Sequence, residues 1–86
     1  MTELRKTFLR VAEMVGAEAN ESTITSYHLD DNSHISVYQN TDRRHNNIRL
    51  SLVKNREILT HETIKAGASD KVIQNRINKI MATYKA

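Results

Sequence analysis

The sequence predicts an α+β fold: an antiparallel meander of three to four strands flanked by an N-terminal and a C-terminal helix packed on one sheet face. Three observations predict it. Apolar residues recur at helical spacing at both ends of the chain and alternate in the middle. Turn formers separate the middle segments closely, and short turns favour antiparallel neighbours. Proline is absent and there are only two glycines, Gly16 and Gly67, so the elements are long relative to the loops.

The first helix is predicted over residues 2–15, because Leu4, Phe8, Val11, Ala12 and Val15 share one face. Thr2 is the expected N-cap, Glu3 suits the positive end of the helix dipole, and Gly16 suits the left-handed residue that ends a helix. Arg5, Lys6 and Arg10 fall away from the apolar stripe and read as a solvated face paired with acids. Residues 22–29, STITSYHL, are rich in β-branched and aromatic side chains and predict a strand whose inner face the mixed alternation leaves open. Asp30-Asp31-Asn32-Ser33 reads as a turn, and residues 34–39 as a second strand with Ile35 and Val37 on one face and Ser36 and Tyr38 on the other.

Asn40 to Asn46 reads as a polar loop. Residues 47–54 alternate most cleanly, with Ile48, Leu50 and Leu52 to one side and Asn47, Arg49 and Ser51 to the other. Lys54-Asn55 forms the next turn and residues 56–64 the fourth strand. After the connection Lys65–Ala68, Ser69 caps a second helix, with Asp70 at its positive end. That helix runs to about Tyr84 with Ile73, Ile77, Ile80, Met81 and Tyr84 as its apolar stripe. Two helices with one apolar face each are expected to cover one side of the sheet and leave the other wet or open to a partner.

Eighty-six residues make one domain, 1–86, with too little buried surface to be more than marginal alone, and a homodimer is the expected remedy. Cysteine is absent, which excludes disulfides and thiolate chemistry and fits a cytoplasmic protein. No apolar run approaches the roughly 20 residues of a membrane span, and the N-terminus lacks the core of a signal peptide. No cofactor is expected. The four histidines, His28, His34, His45 and His61, lie in separate segments with no helical i, i+4 pair, so no metal site is expected. Gly-rich phosphate loops, nucleophile elbows and HExxH are all missing, which argues against an enzyme. A metal-dependent nuclease using His28, Asp30 and Asp31 is the weakest of the readings kept open.

Charge is the strongest functional signal. Residues 1–40 carry three cations and six acids, whereas residues 41–86 carry ten cations and four acids. Such asymmetry points to a polyanion. The cations expected to meet it are Arg43, Arg44, Arg49, Lys54, Arg56, Lys71, Arg76 and Lys79. Arginine suits phosphate because its planar fork donates two parallel hydrogen bonds. Tyr27 and Tyr38 are the candidates for base stacking, and so few aromatics favour backbone over base recognition. The expectation is a non-enzymatic nucleic-acid-binding protein, with RNA preferred. The alternative is a protein-interaction module steered onto an acidic host protein.

The helix–strands–helix layout resembles the double-stranded-RNA-binding domain. His34 follows Asp31-Asn32-Ser33 where that family places a histidine in its first strand–strand loop. Gly67-Ala68-Ser69-Asp70-Lys71 opens the second helix where the family has Gly-x-Ser-Lys-Lys-x-Ala-Lys. The chain departs from that run at Asp70, Ile73 and Gln74, and a fourth strand intervenes. In size, charge and layout it is also similar to small phage anti-defence proteins, RNA-binding inhibitors of host toxin–antitoxin nucleases. That resemblance implies action in the host cytoplasm against an RNA-directed defence factor.

Overall fold

The computed structural model describes residues 1–42 and 44–86, and the backbone alone at His45. Helix α1 (Glu3–Val15) leads into a four-stranded sheet, β1 (Ile24–Asp30), β2 (Ser33–Asp42), β3 (His45–Lys54) and β4 (Glu57–Lys65), and α2 (Asp70–Lys85) closes the chain. The strands lie in chain order as an antiparallel meander. Both helices pack on one face of the sheet, α1 over β1–β3 and α2 over β3–β4.

The helix ends follow from their caps. Thr2 accepts the Arg5 backbone N–H at 3.1 Å, and Gly16 turns left-handed at φ 97° while its N–H bonds the Ala12 and Glu13 carbonyls. A Cβ at Gly16 would sit 3.2 Å from the Tyr27 ring, so a side chain there would have to displace that ring as well as adopt a left-handed backbone. Ser69 caps α2 by accepting the Val72 N–H.

Between the layers lie Leu4, Phe8 and Val11 of α1, Ile73, Ile77 and Ile80 of α2, and Ile35, Val37, Ile48, Leu50, Leu52 and Ile64 of the sheet. Register explains the set: Ile35 pairs with Leu52, Val37 with Leu50, and Ile48 with Ile64, so one face of the pleat is apolar across β2–β4.

Polar ties fix the helices. Thr7 donates to the Glu3 carbonyl at 2.9 Å and accepts the Gly67 N–H at 2.8 Å, joining α1 to the β4–α2 connection. Arg10 grips Asp70 with two bonds of 3.0 and 2.7 Å. The guanidinium and carboxylate reinforce each other: Asp70 is held below the usual carboxylate range and Arg10 is pushed further up, chiefly through this hydrogen-bonded pair. Arg5 is not the solvated cation its helix position suggests. It lies 5.0 Å over the Phe8 ring and donates to the carbonyls of Ser22 and Asn20 and to Gln39, pinning the α1–β1 connection.

The sheet differs from the sequence reading in two places. Most of the expected loop Asn40–Asn46 is strand, because Asn40 pairs with Asn47 and Thr41 with Asn46, and ladder hydrogen bonds override turn propensity. The β3–β4 turn is centred on Asn55 and Arg56, not Lys54 and Asn55, so β4 begins at Glu57. A bulge follows: Val53 pairs with Ile58 and Leu52 with Thr60, which leaves Leu59 as the extra residue on an edge strand.

Candidate functional site

The face of the sheet opposite the helices is uncovered, and the register sorts its side chains into cross-strand rows. One row is Asn40, Asn47 and Lys65; the next is Ile24, Tyr38, Arg49 and Thr63. A row of Ser26, Ser36, Ser51 and His61 follows, then His28, His34, Val53 and Ile58. Among the described residues, no carboxylate stands in these four rows. Asp42, opposite His45 at the hairpin tip, is the first acid beyond them. The four rows thus offer Arg49, Lys65, imidazoles, hydroxyls and amides as donors, with acids only beyond their ends, Asp42 at the tip and Asp31 at the cleft.

Tyr38 is 39% exposed on this face, beside Arg49. Tyr27 pairs with Ile35 and therefore faces the helices, under Gly16. The two tyrosines stand on opposite faces, so only Tyr38 can stack a ligand on the open one. Ile24 and Ile58, 55% and 65% exposed, stand at the two edges of the same face.

At one end the open face runs into a cleft of about 480 Å³. Its floor is the tilted pair His28–His34, with ring centroids 5.7 Å apart. The β1–β2 turn contributes Asp31, Asn32 and Ser33, and the β3–β4 turn contributes Asn55 and Arg56. The two turns are tied by the Asn55 N–H, which donates to the Asn32 carbonyl at 2.9 Å. Asn55 and Arg56 have φ of 51° and 69°, the signature of a two-residue type I′ turn. Asparagine tolerates that conformation, but arginine adopts it at a cost of roughly 1–2 kcal/mol. Ser33 is 2% exposed, and its buried hydroxyl makes no well-formed hydrogen bond, although it contributes weakly to holding the Asp30 carboxyl low.

Asp30 itself is committed elsewhere. It accepts the Tyr84 hydroxyl at 2.7 Å and the Asn32 N–H at 2.8 Å, clasping the end of β1 to α2. The Tyr84 bond, then the Asn32 bond, holds its carboxyl below the usual range, and the same contact pushes Tyr84 above the usual phenol value. The trio His28, Asp30 and Asp31 is therefore not assembled around a common point. No group of three or more metal-ligating side chains gathers among the described residues.

The expected cations divide among three regions. Arg49 is on the open face. Arg44 is exposed at the β2–β3 tip, while Lys54 and Arg56 are at the other end of the β2–β3–β4 hairpins. Ten residues of β3 separate those ends by about 30 Å. Lys71, Arg76 and Lys79 belong to the helix layer, across the sheet from Arg49. Arg76 and Lys79 approach Glu62 at 4.0 and 3.8 Å, and Arg76 also donates to the Thr63 carbonyl, so both are partly neutralised. Arg43 lies outside the described residues. The carboxylate-free rows and the cleft follow from register and are invisible in a cation count. A signal for the cleft was present in the sequence: two turn sequences, Asp31-Asn32-Ser33 and Asn55-Arg56, bracket the strands that carry His34.

Among the described residues, no helix is long and apolar enough to cross a membrane. Comparison with family models, curated proteins and solved structures found no match to this chain.

Proposed function

We propose that this protein binds nucleic acid, RNA by preference, on the open sheet face, as a binding protein and not an enzyme. The observation that carries the reading is the set of four cross-strand rows that present Arg49, Lys65, His28, His34, His61 and Tyr38 without a single carboxylate. Phosphates meet cations and neutral donors there, a base can stack on Tyr38 next to the Arg49 guanidinium, and hydroxyls and amides reach the ribose 2′-hydroxyl. With one stacking aromatic, recognition is mainly of backbone, and affinity falls steeply with salt. The resemblance to phage anti-defence proteins extends the proposal to sequestering RNA on which a host defence factor acts, and the expected homodimer would double the interface.

The test is fluorescence anisotropy with single-stranded RNA, duplex RNA and duplex DNA across a salt series. Arg49→Glu abolishes binding, whereas Lys79→Glu, in the helix layer, leaves it nearly intact. No binding at about 50 mM salt, or equal losses in the two variants, refutes the reading. Exposed Ile24 and Ile58 on the margins of the same face favour an acidic protein as the second reading. A partner retained in a pull-down after nuclease treatment would select it.

A further inference from the structure

The open face ends at a cleft. The β1–β2 and β3–β4 turns, tied through Asn55 and Asn32, line this cleft together with the His28–His34 pair. From Tyr38 to His34 is four residues of β2, about 14 Å, a span that a short stretch of single strand covers. We propose that the cleft between these turns is a subsite for the terminal phosphate of a nucleic-acid strand bound on the open face, a proposal that rests on the reading above.

The chemistry of the lining selects an anion. Arg56 brings a fixed positive fork that matches phosphate oxygens and disfavours a metal ion in the same space. His28 and His34 supply ring N–H donors, and Asn32 and Asn55 supply amide donors. Ser33 lines the cleft, but its side chain shares the helix-facing side of β2 with Ile35 and Val37, beside Asp30, and supplies no donor to the cleft. One acid, Asp31, is in the lining; its neighbour Asp30 is turned to Tyr84. Lys54 and Glu57 are register partners at the base of the turn. Arg56 occupies a backbone conformation that glycine would fill without strain, and a side chain kept at such a position is expected to have a use there. An end phosphate, with more negative charge than a bridging one, gains most from this cluster.

The test uses a short oligouridylate in three forms, with a 5′-phosphate, with a 3′-phosphate and with neither, together with inorganic phosphate. Affinity is read by anisotropy, and contact by amide chemical shifts. The expected result is that one end-phosphorylated form binds about tenfold tighter than the unphosphorylated strand. Inorganic phosphate is expected to shift the amides of Asn32, Ser33 and Arg56. Arg56→Gly, which relieves the backbone and so keeps the fold, erases the tenfold advantage and leaves the unphosphorylated affinity unchanged. Arg49→Ala weakens all three strands together. Equal affinity of the three strands, with no shifts from inorganic phosphate, overturns the subsite while leaving the open-face reading intact. Inorganic phosphate binding in the cleft without any strand binding overturns both, and leaves a site for free phosphate.

Discussion

Arg56→Gly separates stability from binding in one residue. Arg56 sits at φ 69° in the second central position of the β3–β4 turn, after Asn55 at φ 51°. Left-handed backbone costs an ordinary L-residue about 1–2 kcal/mol, and Asn-Gly is the preferred pair for this turn. Glycine gives back about 0.5–1 kcal/mol through the greater freedom of the unfolded chain. The net gain is about 0.5–1 kcal/mol, a rise of roughly 2–8 °C in melting temperature for a domain of this size. Differential scanning calorimetry and thermal circular dichroism should agree on the rise. Arg56→Ala, which deletes the guanidinium but keeps a Cβ at positive φ, should not reproduce it. A lower melting temperature for Arg56→Gly would refute the reasoning, because it would mean that the side chain's contacts outweigh the strain of its backbone. A stabilised variant that has also lost the end-phosphate advantage would place Arg56 among residues retained for function at a cost in stability.

Three further outcomes follow from the ties between elements. Tyr84→Phe removes the hydroxyl that holds Asp30. The native pair needs an ionised Asp30, whose folded pKa is lowered, and a neutral Tyr84, whose folded pKa is raised. Its contribution is therefore full between about pH 4 and pH 10, is lost in acid as Asp30 protonates and is lost in base as Tyr84 ionises. The variant should melt lower than the parent at neutral pH, and the difference should close toward both extremes. Thr7→Val strands the Gly67 N–H and should cost about 1 kcal/mol in urea unfolding, whereas Thr7→Ser should retain most of the stability. Asp70→Asn weakens the charged pair with Arg10, so the variant should melt lower at low salt, and the gap should narrow in 1 M salt, where the Debye length falls to about 3 Å.

Both helices, their caps and the alternating β3 strand were legible because local signals agreed there: stripe, cap and breaker all pointed the same way. Gly16, for example, carries both the left-handed angle and the close approach of Tyr27. The length of the β2–β3 hairpin was not legible, since Asn40 and Asn46 have turn propensity and become strand only through cross-strand pairing, Asn40 with Asn47 and Asn46 with Thr41. Strand β1 could not be oriented because its exposed positions are mixed: Ile24 points to the open face and Tyr27 to the helices, the reverse of what hydrophobicity alone suggests. Arg5 was misread for a related reason. Its carbonyl partners, at Asn20 and Ser22, lie on a connection whose path no helix-face argument specifies.

The charge asymmetry of the sequence changes meaning once the chain is folded. The described cations of residues 41–86 do not make one basic surface, because the sheet divides them. On the helix side they meet acids, Arg76 and Lys79 at Glu62, as Arg10 does at Asp70, and those contacts hold elements together. On the open side cations are few, but acids are missing altogether from the four rows. The potential over that face is therefore set by the absence of opposing charge, and one arginine there counts for more than several compensated ones across the sheet. On that basis the ranking of the cations departs from the one a linear count gives. On the proposed reading Arg49 carries strand binding and Arg56 only the end phosphate, whereas Arg76 and Lys79, which add as much to the net charge, are turned to Glu62 between α2 and β4.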